Sequence, residues 1–370
     1  MERTTESRRE LLEGGWRERA RRRQQEVLPG GAVVATCGVP FGSGGLGRHL
    51  AEIMQALERD GRPGVCICED DRPPAGSPGI LERVLRRSPG RRVLRARREF
   101  DRFAAARLPS DADALMAFNR QALDQFGRAR ELGYSELGLV TGSPHVSHVA
   151  RQHAAAYRRD PIERSFGTYV VERYLDEYAA ADHIYVASDY TRDSFLAQGV
   201  DPERIRIFPL TPDPRFAAPA GPSSAATFDI VYIGAVSVAK GIPVLVDAVA
   251  KLDHGDLRLR LVGSTKSRSM FNWLERKIAA DGRISAAAGD PLPALEAASL
   301  CVHPTWEDGF AYAPAEALAC GVPAIVSEDT GMKELIVPGV NGVTFPTGDA
   351  SALAEAIDAA YRGGLLDGQA

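Results

Sequence analysis

Two loop acids, a lysine at a helix start and a run of glycines are the residues of this chain whose types and spacing could do chemistry. The densest set is His303-Pro304-Thr305-Trp306-Glu307-Asp308-Gly309-Phe310-Ala311-Tyr312, with Glu316 and Cys320-Gly321-Val322-Pro323 following. An apolar strand ends at His303 and a helix opens near Tyr312, so Glu307 and Asp308 stand on a strand-to-helix loop. Carboxylates there can accept charge-assisted hydrogen bonds from the hydroxyls of a neutral sugar, and Gly309 lets the backbone approach a ligand closely. Glu316, in the early turns of the helix, can accept from a ribose diol. Taken singly, Asp308 reads as a helix cap and Glu316 as a helix-dipole partner.

The second segment is Gly234-Ala235-Val236-Ser237-Val238-Ala239-Lys240-Gly241. A lysine at a helix N-terminus runs against the dipole, which favours negative charge there, and makes sense where an anion shares the site. The third is Gly42-Ser43-Gly44-Gly45-Leu46-Gly47, formally a G-x-G-x-x-G, with Glu69, Asp70 and Asp71 at the end of the next strand. That is the dinucleotide fingerprint of an NAD-linked oxidoreductase. The glycines begin only after Gly38-Val39-Pro40-Phe41, however, a longer approach than the tight turn of such a site. On either reading, N–H groups exposed at a helix start suit a diphosphate.

These segments need strands and helices to hold them. Short apolar runs at Ala32–Cys37, Val65–Cys68, Leu137–Thr141, His183–Ala187 and Ile205–Leu210 read as buried strands, with helices near 46–60, 111–132, 147–158, 165–181 and 191–198. A Pro-, Ala-, Gly- and Ser-rich break at 212–227 reads as a linker. The alternation then restarts, with strands at Asp229–Gly234, Leu257–Gly263, Ile284–Ala288, Leu300–His303, Ala324–Ser327 and Val343–Phe345. Helices are expected among them near 241–252, 268–280, 291–297, 312–320, 331–336 and 350–362. Continuous apolar strands alternating with amphipathic helices define an α/β protein with parallel sheets covered on both faces. The expected organisation is a charged helix at 1–28, a Rossmann-like domain at 29–211, the linker, a second Rossmann-like domain at 228–348, and a C-terminal helix at 349–370 packing back on the first domain. Two doubly wound sheets would face each other across a cleft at their strand C-terminal ends. Asp111-Ala112-Asp113 has Asp-x-Asp spacing, but it stands where a helix is expected to begin and reads as capping, so no metal is expected.

Composition narrows the class. The chain has 370 residues, 44% hydrophobic and 25% charged, enough for two globular domains. No apolar run approaches the roughly 18 residues of a membrane span, and the charged N-terminus has no signal-peptide pattern. Five scattered cysteines suit a reducing cytoplasm and support neither disulfides nor a zinc site. The net charge of −4 hides a basic stretch at 80–107, with ten Arg against three acids. That stretch reads either as a solvated helix face or as a peripheral contact with an anionic membrane at the inner face. Nucleic acid is not expected, because the chain as a whole is acidic.

From about 229 to 358 the chain resembles the C-terminal half of the family 4 retaining glycosyltransferases, which have the GT-B fold. The family motif is an acid, seven residues and a Glu, matched here by Asp308-Gly309-Phe310-Ala311…Glu316-Ala317-Leu318-Ala319-Cys320-Gly321-Val322-Pro323. Lys240-Gly241, Leu261-Val262-Gly263, Gly331, Glu334-Leu335-Ile336 and Asn341-Gly342 match its other landmarks, and the first half is similar more loosely at Gly44–Gly47, Ser143-Pro144-His145 and Ser188 to Gly199. The first motif acid is Asp308 where the family has Glu, with Glu307 beside it, and Ala235 stands where an Arg is frequent. The resemblance implies a hexosyltransferase that moves a sugar, with retained configuration and without metal or other cofactor, from a nucleotide-diphosphate sugar to a carbohydrate, lipid-linked or small-molecule acceptor. It makes Lys240, His145 and Asp308 the catalytic candidates. Gly44, Gly45, Leu46, Gly47, Gly234, Lys240, Glu307, Asp308, Gly309, Phe310 and Glu316 become the donor-binding set. The rivals are the NAD-dependent oxidoreductase using Gly42–Gly47 and a non-catalytic binding module of the same fold.

Overall fold

The computed structural model describes residues 15–72, 89–163, 168–218 and 227–364. The first 14 residues of the expected N-terminal helix, 80–88 of the arginine-rich stretch, 219–226 of the linker and the last six residues lie outside this set. Two sheets, each of six parallel strands, organise the rest. The first contains β1 (Val33–Cys37), β2 (Gly64–Cys68), β3 (Ala114–Phe118), β4 (Glu136–Val140), β5 (His183–Val186) and β6 (Ile205–Ile207), in the order β2-β1-β3-β4-β5-β6. The second contains β7 (Phe228–Ile233), β8 (Leu257–Val262), β9 (Ile284–Ala287), β10 (Leu300–His303), β11 (Ala324–Ser327) and β12 (Gly342–Phe345), in the order β12-β11-β10-β7-β8-β9.

Parallel neighbours require crossover connections, and helices supply them on both faces. Helices α1 (Gly15–Val27), α2 (Gly44–Arg59), α3 (Pro89–Ala105), α4 (Leu123–Leu132), α5 (Val146–Arg159), α6 (Thr168–Ala180) and α7 (Asp189–Leu196) accompany the first six strands. Helices α8 (Ile242–Val249), α9 (Arg268–Ala280), α10 (Leu292–Glu296), α11 (Tyr312–Ala319) and α12 (Ala350–Tyr361) accompany the rest. Every residue of β1, β3 and β10 is buried, as expected of central strands sandwiched between helices. Strand order reverses direction between β1 and β3 and again between β7 and β10. These are the switch points at whose C-terminal ends α/β sheets bind ligands.

Two elements depart from the sequence reading. The helix expected over 111–132 is strand β3 followed by α4. Ala-Leu-Met-Ala-Phe is rich in helix formers, but the centre of the sheet needs an apolar strand there, and tertiary burial outweighs local propensity. Asp113 therefore caps no helix; its carboxylate accepts the Ala32 N–H at 2.7 Å and ties the entry to β1. The turn expected as a helix at 331–336 is a 3₁₀ turn, Gly331–Leu335. The terminal helix α12 stands with the second sheet. Its Leu353, Ala354 and Ile357 are buried in the second core, and it lies against α8.

Among the described residues, 17–147 and 168–210 gather into one compact unit, while 148–163 join 211–218 and 227–364 in the other. Segment 148–163 lies inside the span expected for the first domain, yet Ala156 is fully buried in the second core, with Tyr157 and Ile162 packed against it. In the first unit, α1 is fastened by Gln24, whose amide donates to Glu52 (3.0 Å) and to the Pro209 carbonyl (2.8 Å).

Candidate functional site

In the second unit, β10 ends at His303, at the switch point beside β7, and the loop 304–311 leaves from there. Its backbone is fixed on every side. Trp306 N–H donates to the Ala239 carbonyl (3.0 Å), Asp308 N–H to the Asp329 carbonyl (3.1 Å), and Gly331 N–H to the Asp308 carbonyl (3.0 Å). The Thr305 hydroxyl donates to the Glu307 carbonyl (2.7 Å), and the Ser327 hydroxyl to the Thr305 carbonyl (2.6 Å). A loop held this way holds its two acids with it.

Lys240 arrives from the loop after β7. Its Nζ donates to Asp308 Oδ2 at 2.7 Å and to the Glu307 carbonyl at 3.1 Å. Gly241 explains the adjoining glycine. Its φ is +71°, and a Cβ there would lie 1.8 Å from the Pro304 carbonyl oxygen, so only glycine lets the two loops touch. Burial works against the Lys240 ammonium, but Asp308 and Glu307 outweigh it and hold the lysine above its ordinary value. For Asp308, burial pushes upward, while Lys240 and His303, whose Nε2 is 3.6 Å away, hold the carboxyl well below the usual carboxylate range. The pair is therefore ionised throughout the neutral range. An ammonium has three N–H groups, and the protein takes two of them here.

The neighbouring residues fall into place around this pair. Glu307 is buried, and its Oε1 lies 3.2 Å from His153 Nε2. Phe310 is buried edge-on against Tyr312 (5.8 Å between ring centroids), and its N–H points at Asp308 Oδ1 (3.4 Å). Ala311, the N-cap of α11, sits at φ +66°, a conformation that suits glycine. Glu316 is buried on α11, near Arg215, whose guanidinium is raised first by its hydrogen bond to Asp290 and also by the Glu316 charge. Gly234 follows β7, with its N–H donating to the Val262 carbonyl (3.0 Å), and the Tyr232 hydroxyl donates to the Ala235 carbonyl (2.8 Å). The structure thus brings Lys240, Glu307 and Asp308 together, with Gly309 and Phe310 continuing the same loop. His303, the first residue of the segment quoted from the sequence, stands beside Asp308, while His153 and Arg215 join the neighbourhood without having been singled out in the sequence.

The remaining candidates belong to the first unit. Gly44, Gly45 and Leu46 form the first turn of α2, where N–H groups have no intrahelical acceptor. Gly47 is fixed by sterics, since a Cβ there would come within 2.3 Å of the Pro40 carbonyl oxygen. His145 is buried against Tyr178 and Phe195 at centroid distances of 4.9 and 5.1 Å, and its Nδ1 accepts the Ser147 N–H (3.1 Å). The acids after β2 are engaged locally. Asp70 accepts the Phe41 N–H (2.8 Å), Asp71 accepts the Cys68 N–H (2.7 Å), and Glu69 pairs with Arg72 (3.0 Å). A ribose acceptor of the oxidoreductase type would need one of them to turn away. Among the described residues no helix is long and apolar enough to cross a membrane.

Two doubly wound parallel sheets, with a lysine–carboxylate pair at the switch point of the second, define a two-sheet α/β protein of the doubly wound class. Comparison with known proteins makes this specific. Residues 43–215 match the model of Glycosyltransferase Family 4, and residues 227–362 that of Glycosyl transferases group 1. The chain belongs to the family 4 glycosyltransferases and has their GT-B fold. It is 30% identical over 183 residues to the D-inositol 3-phosphate glycosyltransferase of Pseudarthrobacter chlorophenolicus, covering 44% of this chain and 43% of that one. With the enzyme of the same name from Xylanimonas cellulosilytica it is 26% identical over 240 residues, 58% of this chain and 57% of the other. The chain thus spans about half the length of the curated relatives it matches. Among solved structures, sucrose-phosphate synthase from Thermosynechococcus elongatus superposes with a TM-score of 0.70 at 19% identity over 92% of both chains. Anabaena HepE in complex with UDP and glucose gives 0.62 at 16% identity, over 90% of this chain and 91% of that one. At such identities these two likenesses speak for the fold alone.

Proposed function

We propose that the protein transfers a sugar from a nucleotide-diphosphate donor to an acceptor hydroxyl, with retention of configuration and without a metal. The observation that carries this reading is the Lys240–Asp308 pair at the β7/β10 switch point, where a fixed ammonium keeps one N–H for an anion. In the transfer, the bond between the anomeric carbon and the diphosphate oxygen breaks, and that oxygen gains negative charge. The acceptor oxygen bonds to the anomeric carbon from the face the diphosphate leaves, and its proton passes to the departing diphosphate oxygen. Lys240 stabilises the charge as it develops, an effect that is usually the largest single contribution in such reactions. Its charge comes from the chain itself, which is why we assign no metal to the reaction. Glu316 is assigned to the donor's ribose, and the acidic loop 307–310 to its sugar. On the first unit, the α2 helix start is the proposed anion contact and His145 the proposed acceptor-side residue. A nucleotide-sugar donor is also in keeping with a structural neighbour, Anabaena HepE, which was solved in complex with UDP and glucose. A peripheral contact with anionic lipid is assigned to the exposed Arg95, Arg98 and Arg102 of α3.

A thermal-shift screen against UDP, GDP, ADP and NAD tests the reading. A ligand at 100 times its dissociation constant stabilises by about 2.7 kcal/mol. Stabilisation by a nucleoside diphosphate supports the proposal; a response to NAD alone overturns it in favour of the oxidoreductase.

A further inference from the structure

At the switch point of the first sheet, beyond the C-terminal ends of β1 and β3, two arginines from different elements stand beside one glutamine. Arg97 comes from α3, and its Nη1 donates to the Gly38 carbonyl (2.7 Å) and to Gln121 Oε1 (2.9 Å). Arg120 precedes Gln121 in the chain, with its guanidinium 6.0 Å from the centre of the Tyr174 ring on α6. Both arginines are half-buried. Burial first, and then the charge of Arg120, hold the Arg97 guanidinium below its ordinary value. Like charges placed side by side repel, so the arrangement is unfavourable until an anion joins it.

The main chain is bent to bring Arg120 there. Its φ is +73°, a left-handed conformation that a residue with a side chain adopts at a cost. A buried network holds it. The Arg120 N–H donates to Glu177 Oε2, the Ala122 N–H to Glu177 Oε1 (3.0 Å), and Arg173 Nε to the Arg120 carbonyl (3.0 Å). Arg173 is paired in turn with Asp101, whose oxygens also accept the Asp124 and Gln125 N–H groups. These bonds fix the backbone and leave the Arg120 side chain out. Its guanidinium makes no hydrogen bond or ion pair among the described residues, and its Nε is buried without a partner. Its terminal nitrogens, like Nη2 of Arg97, have no protein partner there either and are open to solvent. The nearby carboxylates are spent, Asp101 and Glu177 on the network and Glu69 on Arg72 (3.0 Å).

Doubly wound sheets bind ligands at such a switch point, and guanidinium forks match phosphate oxygens in pairs. Resting on the glycosyltransferase reading, we propose that Arg97 and Arg120 bind a phosphate monoester carried by the acceptor, so that the acceptor is a phosphorylated sugar or polyol. A monoester carries about −1.5 to −2 charge at pH 7 and balances both guanidinium groups. A phosphodiester or a carboxylate carries a single charge and leaves one of them unbalanced. The acceptor then supplies the counter-ion that the protein withholds.

Calorimetry with the full chain tests this. The probes are inorganic phosphate, glucose 6-phosphate, fructose 6-phosphate and myo-inositol 1-phosphate, with the three neutral parents and, as the diester, glycerophosphoinositol. In the wild type at least one phosphorylated compound binds at least ~10-fold tighter than its parent and than the diester, and inorganic phosphate competes with it. Arg97→Met and Arg120→Met each reduce that preference at least ~10-fold, the scale of a hydrogen bond to a charged group. Arg120→Lys, which keeps the charge without the fork, retains part of it. Because the Arg120 guanidinium holds nothing in the protein, unliganded Arg120→Met melts no lower than the wild type, yet loses the rise in melting temperature that the phosphorylated compound gives. No preference for any phosphate in the panel, a preference that survives in both variants, or a diester bound as tightly overturns the proposal and leaves the glycosyltransferase reading in place. Loss of UDP, GDP or ADP affinity in Arg120→Met equal to the loss for the phosphorylated compound assigns the arginines to the donor and overturns it as well. Absence of binding by all three nucleotides to the wild type removes the glycosyltransferase reading, and the acceptor role with it.

Discussion

Replacing Lys240 by Met keeps the aliphatic stem and removes the ammonium, and its consequences for rate and for stability separate. The rate loses one preorganised donor to the departing diphosphate, at least ~100-fold or about 2.7 kcal/mol. Stability falls because Asp308 loses its counter-ion inside the loop; breaking a buried pair costs about 3–5 kcal/mol. Here the two side chains are 26% and 21% exposed, so about 2 kcal/mol is expected. Adding Asp308→Asn removes the stranded charge and recovers most of the stability, but the rate stays low. The acid limb changes as well. In the wild type the folded Asp308 is held below the usual carboxylate range, so its contribution is complete above pH ~4 and disappears as the pH falls through its folded value. In Lys240→Met that loss largely vanishes. Turnover by donor-hydrolysis or transfer assay, beside urea unfolding between about pH 2 and 7, a window that spans the titration of an unfolded Asp at pH ~4, reads all three effects. Near-normal turnover in Lys240→Met, or turnover restored by the second substitution, would refute the reasoning.

Three other outcomes follow from the same coordinates. Ala311→Gly relieves a non-glycine residue at φ +66° and should stabilise the protein by about 0.5–1 kcal/mol after the entropy that glycine adds to the unfolded chain; a lower urea midpoint would contradict this. His49 is buried between Phe118 and Phe208, with both ring nitrogens unpartnered among the described residues and burial lowering its imidazole to about 3. His49→Leu should stabilise by about 1–3 kcal/mol at pH 7. Because the wild-type imidazole stays neutral when folded but protonates when unfolded, its stability falls as pH drops below ~6.5. The advantage of the variant should therefore widen by about 2 kcal/mol at pH 5, and an equal advantage at both pH values would refute the assignment. Excess EDTA should leave transfer unchanged, and loss of activity restored by added divalent cation would show that a metal takes part.

Most of the sheet strands were legible because a parallel strand buried on both faces must be continuously apolar, as in Val33–Cys37 and Leu300–His303. Ala114–Phe118 was not, since alanine, leucine and methionine favour a helix and only the neighbouring strands make it a strand. The pairing of Lys240 with Asp308 could be anticipated from motif spacing, because both residues follow strands that meet at the switch point. The part of His153 could not: 154 positions separate it from Glu307, and nothing in the local pattern of α5 marks the residue that reaches the other sheet's loops. His145 drew notice only through the resemblance, and its aromatic surroundings in the first core come from residues more than 30 positions away.

The central claim is that a sugar nucleotide places its diphosphate against Lys240, and a crystal structure of the protein with such a compound tests it most directly. The account predicts a phosphate oxygen within hydrogen-bond distance of Lys240 Nζ, the ribose beside Glu316 and the sugar over the 307–310 loop. A ligand seated elsewhere, with Lys240 still closed on Asp308 alone, would contradict it.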